Sequence, residues 1–296
     1  MLIRNRFFNI FLKLLSTLVA FCSSLILIFL LLFIFRESLP VWEIVGPFSF
    51  FTGKTWSPVT EPAYLGIASM VASTLWVAFG ALLIAVPLGF SCAIFLAEFA
   101  PGPLAGVLRP VLNILTGIPS VVYGFLGAAI IVKFFENAFN LASGESLFCA
   151  SMILSLMVIP YIIANSETAI RSVPDEYRLA GQALGVSSPY TTIKIILPIA
   201  RKGMLGSVVL AFGRAAGETM AVLMIAGNVL KFPDSWFSMG EPLPALIALE
   251  LGSASPNSLH YQGLFAAGLV LIIFVTIINL SINRMIKDDM NQVNRL

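Results

Sequence analysis

Apolar residues along this chain do not recur at the three-to-four-residue interval of a surface helix; they run together. Six stretches, roughly 12–35, 68–97, 107–135, 147–166, 204–230 and 262–283, are nearly free of charge. Each is long enough to cross a bilayer, which takes about 20 residues of helix. The pattern predicts an all-α polytopic membrane bundle of six transmembrane helices. The first stretch has a basic start (Arg4, Arg6, Lys13) and stays apolar to Phe35. It exceeds the roughly 7–15 apolar residues of a signal-peptide core and lacks a small-x-small cleavage site, so it is expected to remain as an anchor.

The other stretches contain proline or glycine. Pro87, Pro119 and Pro160 fall inside or near the ends of spans, and a backbone break at membrane depth survives only where protein or a water-filled cavity covers it. "TGIPSVVYG" (116–124) is therefore a candidate inner lining, with Ser120 and Tyr123 either facing a path or capping helix ends. Composition agrees: of 296 residues, 58% are hydrophobic and 11% charged, against about 25% charged in a soluble domain. Cys22, Cys92 and Cys149 lie in apolar segments and read as packing residues, with no disulfide framework or metal-binding pair.

Net charge is +2, too small and too dispersed to suggest nucleic acid as a partner. Placement says more. With the N-terminus inside, Arg4, Arg6, Lys13, Arg109, Arg171, Arg178, Lys194, Arg201, Lys202, Arg284, Lys287 and Arg295 fall on the inner side, and only Arg36, Lys54, Lys133 and Lys231 on the outer. That asymmetry predicts two cytoplasmic termini and a cytosolic 167–203 loop. The outer segments 36–66 and 231–261 are long enough for small extramembrane elements, and their Trp42, Trp56 and Trp236 suit the membrane interface or an outer partner. His260 is the only histidine and has no partner for a metal.

"TGKT" (52–55) resembles a phosphate-binding loop only superficially, because the preceding glycine, Gly46, stands seven positions before Gly53 instead of five. No nucleotide-hydrolysing, Ser/His/Asp or metal constellation is visible. No internal repeat is apparent either, so a pseudo-twofold path would need a second subunit.

Two stretches carry candidate chemistry. In 172–203, Pro174, Asp175 and Glu176 suit a helix start. Gly185 interrupts it, Ser187 or Ser188 can cap a second short helix, and Pro198 limits that one. In "GRAAGETMAV" (213–222) a helix continuing through the run would put Arg214 and Glu218 on one face, with Ser207 seven residues before Arg214. Starting near Met204, the pair would lie about 15 Å into a core about 30 Å thick. A charge there costs on the order of 2.5–3.5 kcal/mol. Such a pair is either a structural ion pair or part of a transport path, and Gly213 and Gly217 beside it fit close helix packing.

The 172–203 loop resembles the EAA coupling loop of ABC importer permeases, whose pattern is Glu-Ala-Ala, three residues, Gly, nine residues, Ile-x-Leu-Pro. Leu179, Ala180 and Gly181 hold the first places, and Gly185, Ile195, Leu197 and Pro198 match at the family spacing. The glutamate is replaced by Leu179, with Asp175 or Glu176 as candidate substitutes. "GRAAGETMAV" with "AGN" (226–228), "GIPSVVYG" (117–124), "PLGFSCAIFLAEFAP" (87–101) and "SFFTGKTWSPV" (49–59) closely resemble the phosphate-specific ABC importer permeases, over nearly the whole chain.

The resemblance implies a type I ABC importer permease fold with short cytosolic coupling helices. It divides the chain into an anchor and extracytoplasmic segment (1–66), the permease domain (67–286) and a cytosolic tail (287–296). It implies a multi-pass subunit of the bacterial inner membrane that passes inorganic phosphate, with Arg214 and Glu218 in transport. The partners implied are a PstA-like permease, two PstB-like ATPase subunits that bind the ATP and Mg, and a PstS-like extracytoplasmic phosphate-binding protein. Phosphate-sensing regulators and membrane lipid complete the set, and this chain itself would be neither an enzyme nor a cofactor binder. Another oxyanion, such as sulfate or molybdate, is the nearest alternative cargo; an ion-coupled secondary transporter is the alternative of a different class.

Overall fold

The computed structural model describes the backbone of residues 2–293 and the side chains of residues 12–281 and of Arg284. Arg4, Arg6, Lys287 and Arg295 of the charge count lie outside the described side chains. Six helical segments are long and apolar enough to cross a membrane: Leu12–Ile44, Ala68–Phe99, Ser120–Phe139, Leu147–Arg171, Ser188–Ala216 and Leu259–Ser281.

In chain order the helices are α1 (Leu2–Ile44), α2 (Pro47–Thr52), α3 (Ala68–Ile94), α4 (Gly102–Gly117), α5 (Ser120–Leu126), α6 (Lys133–Phe139), α7 (Leu147–Arg171), α8 (Asp175–Ala183), α9 (Ser188–Thr191), α10 (Leu197–Ala216), α11 (Met220–Leu223), α12 (Leu243–Glu250) and α13 (Leu259–Val293). π-Helical turns Phe95–Phe99, Gly127–Val132 and Thr192–Ile196 join α3 to the following loop, α5 to α6 and α9 to α10. A hairpin pairs Trp56–Ser57 (β1) antiparallel with Tyr64–Leu65 (β2). The end of the bundle that carries α8 is called the loop end below; the other is the far end.

Four span boundaries differ from the sequence expectation, each for a local reason. The first helix runs past Phe35 and through Pro40 to Ile44. The third does not run from 107 to 135: Ile118 and Pro119 adopt extended ψ of 128° and 139° and split α4 from α5. The second loop helix is not short, because the π turn before Pro198 absorbs the proline. There the Leu197 N–H reaches back five residues to the Thr192 carbonyl, so the helix is continuous from Ser188 into the span. The fifth span does not reach Leu230, because α10 stops at Ala216. Helices continue unbroken through Pro87 and Pro160.

α3 and α7 form the centre of the bundle and share its most extensive helix contact. Glycine makes their approach possible: a β-carbon on Gly80 would lie 2.5 Å from Ser151 Oγ and from the Trp236 ring, and one on Gly89 would lie 2.6 Å from Ile162. Hydroxyls in this interface are spent on their own helices, Ser73 on the Ser69 carbonyl, Thr74 on Met70 and Ser151 on Leu147. These three hydroxyls are thus satisfied without water. By contrast, the apolar stretch of α1 is exposed along its length, as a lipid-facing anchor requires.

The tryptophans of the outer segments make hydrogen bonds within the chain. Trp236 is wedged between α3 and α7 with its Nε1 donating to Ser151 Oγ at 3.3 Å. Trp56 is buried and donates to Glu250 Oε2 at 2.8 Å, and Trp42 donates to Ser38 Oγ. His260 Nε2 lies 2.7 Å from the same Glu250 oxygen, so the lone histidine has a carboxylate partner. Among the described residues no cluster of three metal-ligating side chains exists. Glu241 lies buried near this group, and burial first, then the charge of Glu250, push its carboxyl up to about 7.

Two outcomes are expected. Gly80→Val should destabilise the detergent-solubilised chain by about 1–3 kcal/mol, measured by thermal unfolding, whereas Gly106→Val, with nothing within 4 Å of a β-carbon, should not. For Glu241 the folded carboxyl titrates above its ordinary 4.5, so between about pH 4.5 and 7 the folded state binds the extra proton. Its stabilising contribution is complete below the lower value and is lost as pH rises to the upper one. Glu241→Gln should flatten that part of the stability profile and raise stability at pH 8 by on the order of 3 kcal/mol.

Candidate functional site

Two broken helices meet halfway through the bundle. The first break ends α4, whose last carbonyls lose their helical partners. Tyr123 Oη donates to the Leu115 carbonyl and Tyr161 Oη to the Thr116 carbonyl, each at 3.1 Å. Tyr123 therefore caps a helix end, as one of its two expected roles held. Ser120 is the first residue of α5, with Pro119 at its cap.

The second break lies in the charged stretch. Gly217 closes α10 with φ −96° and ψ 0°, and Thr219 (φ −111°) precedes the short α11. Arg214 and Glu218 consequently do not share a helical face. Arg214 sits in the last turn of α10, where a cation complements the helix dipole. Glu218 belongs to the next helix, accepting from the Ala221 N–H at 3.3 Å. Among the described residues no carboxylate lies within ion-pair distance of Arg214. The close-packing role expected of Gly213 and Gly217 is not what they do: Gly213 has ordinary clearance from Asn279 and Val275 of α13, and Gly217 has no neighbour from another helix.

Arg214 lies over Tyr161, its guanidinium carbon 4.2 Å from the ring centroid. Tyr161 is the fifteenth residue of the 25-residue α7, so the arginine is held mid-bundle, as expected from sequence, although its helix begins earlier than foreseen. A cation–π contact occupies no N–H of the guanidinium, so its planar fork of donors remains available to paired oxygens. Tyr123 is within electrostatic reach of both Tyr161 and Arg214. The two breaks are pressed together at Gly124, where a β-carbon would lie 2.9 Å from Ala221 Cα and Met224 Sδ. Asn228, with φ +47°, closes the far side of α11 by donating to the Leu223 carbonyl at 2.7 Å. From Tyr161 toward the loop end, Asn165, Thr168 and Ser172 follow on the same face of α7. Opposite Gly203 and Gly206 of α10 they line a groove of 410 Å³.

The loop end is built as a second site. α8 ends in a Schellman motif: Val186 N–H reaches the Gly181 carbonyl, Gly185 N–H reaches Gln182, and Gly185 takes φ +70°. Gly181 is buried against Thr191, whose Oγ1 a β-carbon would approach to 2.5 Å. Leu179, at the place of the coupling-loop glutamate, is 62% exposed, and Ala180 is exposed beside it. Of the candidate substitutes, Asp175 pairs with Arg178 at 3.1 Å, and Glu176 is exposed. Ile195 lies in the π turn before Leu197 and Pro198.

Sequence reasoning missed Tyr161, Glu98 and Glu167. Glu98 is the only charged residue in the 68–99 span, which was the available signal. Glu167 Oε1 accepts from both Arg109 and Arg171 at 2.8 Å. Glu98 binds Arg178 at 2.6 Å.

Comparison with known proteins agrees with this architecture. Residues 85–290 match the family model described as "Binding-protein-dependent transport system inner membrane component". A Pasteurella multocida protein named phosphate transport system permease protein PstC is 34% identical over 88% of this chain and 87% of its own. A Bacillus subtilis protein named probable ABC transporter permease protein YqgH is 36% identical over 77% and 74%. Among solved structures, a bacterial alginate ABC transporter matches with TM-score 0.62 at 16% identity, over 95% of this chain and 94% of that one. The MetNI methionine ABC transporter matches with TM-score 0.55 at 20% identity, over 75% and 94%. These structural likenesses establish a common fold, that of type I ABC importer permeases. With a family match over most of its length, six membrane-spanning helices and the broken-helix core described above, this chain belongs to the binding-protein-dependent transport system inner membrane components.

Proposed function

We propose that this chain is one of two permease subunits of an ATP-driven phosphate importer. The observation that carries the reading is Arg214, a permanent cation held mid-bundle on the face of Tyr161, with no carboxylate in ion-pair distance among the described residues. A guanidinium offers oxyanions a planar fork of donors and stays charged at any physiological pH. Several relatives at 33–34% identity carry the name phosphate transport system permease protein PstC, which supports phosphate over other oxyanions.

In this reading Glu218, beside the break, accepts a hydrogen bond from protonated phosphate, a donor that sulfate lacks at neutral pH. A closed Arg214–Glu218 ion pair as the gate is not supported, because the two residues serve different helices. Tyr161 fixes the arginine, and Tyr123 and Ser120 flank it on the adjoining broken helix. The 172–203 loop faces the cytosol, both termini are cytoplasmic, and α8 with its Schellman turn seats in an ATPase subunit.

The remaining partners are a PstA-like permease, two PstB-like ATPases that bind ATP and Mg, and a PstS-like phosphate-binding protein. An energy source is required because moving an anion into an inside-negative cell costs about 2.3 kcal/mol per charge per 100 mV. Phosphate-sensing regulators would read the state of the same complex.

The test is ATP-dependent uptake into vesicles carrying the whole complex. Arg214→Gln should lower phosphate uptake about 10–100-fold with assembly intact, the scale of losing charge-assisted hydrogen bonds worth about 1.5–3 kcal/mol. Tyr161→Leu should lower it less, and normal uptake in Arg214→Gln would refute the reading. For Glu218→Gln the expected outcome is a smaller preference for phosphate in competition with sulfate. An unchanged preference removes Glu218 from selection.

A further inference from the structure

α8 is tied by covalent chain to α7 before it and to α9 and α10 after it, and it packs on the latter through Gly181 and Thr191. Its link to α3 has a different origin. α3 ends in the π turn Phe95–Phe99, where Ala100 N–H reaches back to the Phe95 carbonyl. The next donor in that register would be residue 101, a proline, so the Leu96 carbonyl has no backbone donor. Arg109 and Arg171 take it, at 3.4 and 3.2 Å, while sharing Glu167.

In the same turn Glu98, its side chain 6% exposed, points at α8. Arg178 grips it with Nε at 3.2 Å and Nη2 at 2.6 Å. The same guanidinium donates to the Val173 carbonyl at 2.8 Å, to the Ile170 carbonyl at 3.1 Å and to Asp175 at 3.1 Å. One side chain therefore locks α8, the end of α7 and the end of α3 into a single body. α3 then runs as a rod of about 40 Å to the far end. There Ser73 packs against Gly240, and Thr74 accepts the Leu243 N–H at 2.9 Å, in the segment that follows the Arg214–Glu218 break.

We propose that the Glu98–Arg178 pair is the transmission link by which movement of α8 is carried into α3, and along it to the loop that follows the charged break. This rests on the reading of α8 as the helix that meets the ATPase. Leu179 is exposed on α8 and carries no charge, and the acid tied to α8 is Glu98 on the span, reached by Arg178. Exposed Asp175 contributes little, since solvent screens it. Arg178 and Glu98 are positioning residues; neither need touch phosphate.

Two readouts on the assembled complex in lipid nanodiscs and vesicles test the link. Spin labels on Gln182 of α8 and Leu88 of α3, both exposed, report whether the helices move together when ATP is bound. Phosphate taken up per ATP hydrolysed reports coupling. In the otherwise unaltered complex the label distance should be the same with and without nucleotide. In Glu98→Gln and Arg178→Gln it should shift or broaden on nucleotide binding, and uptake per ATP should fall at least tenfold, whereas Arg178→Lys should fall between. A distance that already shifts in the unaltered complex overturns the proposal. So does an unchanged distance in both variants, whether coupling is kept or uptake and hydrolysis fall together. Because the distance measurement needs nucleotide and no cargo, it decides the link even if vesicles fail to take up phosphate, a result that would count against the substrate reading alone.

Discussion

A backbone group without a partner cannot be left in hydrocarbon, and most of what is distinctive in this protein answers that constraint. The bundle is interrupted at three places, and each interruption is answered by side chains, two of them by side chains from another helix and the third locally. The carbonyls at the end of α4 are met by Tyr123 and Tyr161. The Leu96 carbonyl, stranded by Pro101, is met by Arg109 and Arg171. At the α10–α11 break Glu218 accepts from the Ala221 N–H, and Asn228 meets the Leu223 carbonyl at the other end of α11. Interruptions thus become junctions, and the residues proposed above to act in transport or coupling lie at or beside them.

The mid-bundle arginine follows the same logic. A cation inside a membrane ordinarily keeps a carboxylate partner, yet Arg214 has an aromatic face and the negative ends of helices instead: its own, α10, and that of α4, reached through the Tyr161 hydroxyl. Dispersed partial charges stabilise a guanidinium without neutralising it. A carboxylate pair would bury the charge more securely, but an arriving anion would then have to displace the acid. A cation–π contact leaves the donors available, as the proposed transient binding of an oxyanion requires.

At the loop end the two buried carboxylates, Glu98 and Glu167, are each held by arginine. Three arginines counted toward the inner positive excess, Arg109, Arg171 and Arg178, neutralise Glu167 and Glu98. The buried pair there is costly to form and costly to break, a property suited to a joint that must not slip. The mid-bundle site is loosely held and the loop end tightly held, and α3, paired closely with α7 through Gly80 and Gly89, spans the distance between them.

Much of this was legible in the chain alone. Six apolar runs fix six crossings because a bilayer has one thickness and a helix one rise per residue. Gly185 marked the break in the 172–203 loop because a positive φ there excludes other side chains, and the resemblance to the EAA loop singled out Gly181, which the structure buries against Thr191. "GRAAGETMAV" stood out because charge in an apolar run is expensive. What helical periodicity could not foretell is where a helix stops inside such a run. The spacing that put Arg214 and Glu218 on one face assumed continuity through Gly217, and the same assumption merged α4 with α5. Hydrophobicity is indifferent to these breaks; whether a break holds depends on which distant residue arrives to satisfy it. Tyr161 beneath Arg214 and Glu98 beneath Arg178 are contacts between helices far apart in sequence, at separations of 53 and 80 residues, so only the packed structure could decide them.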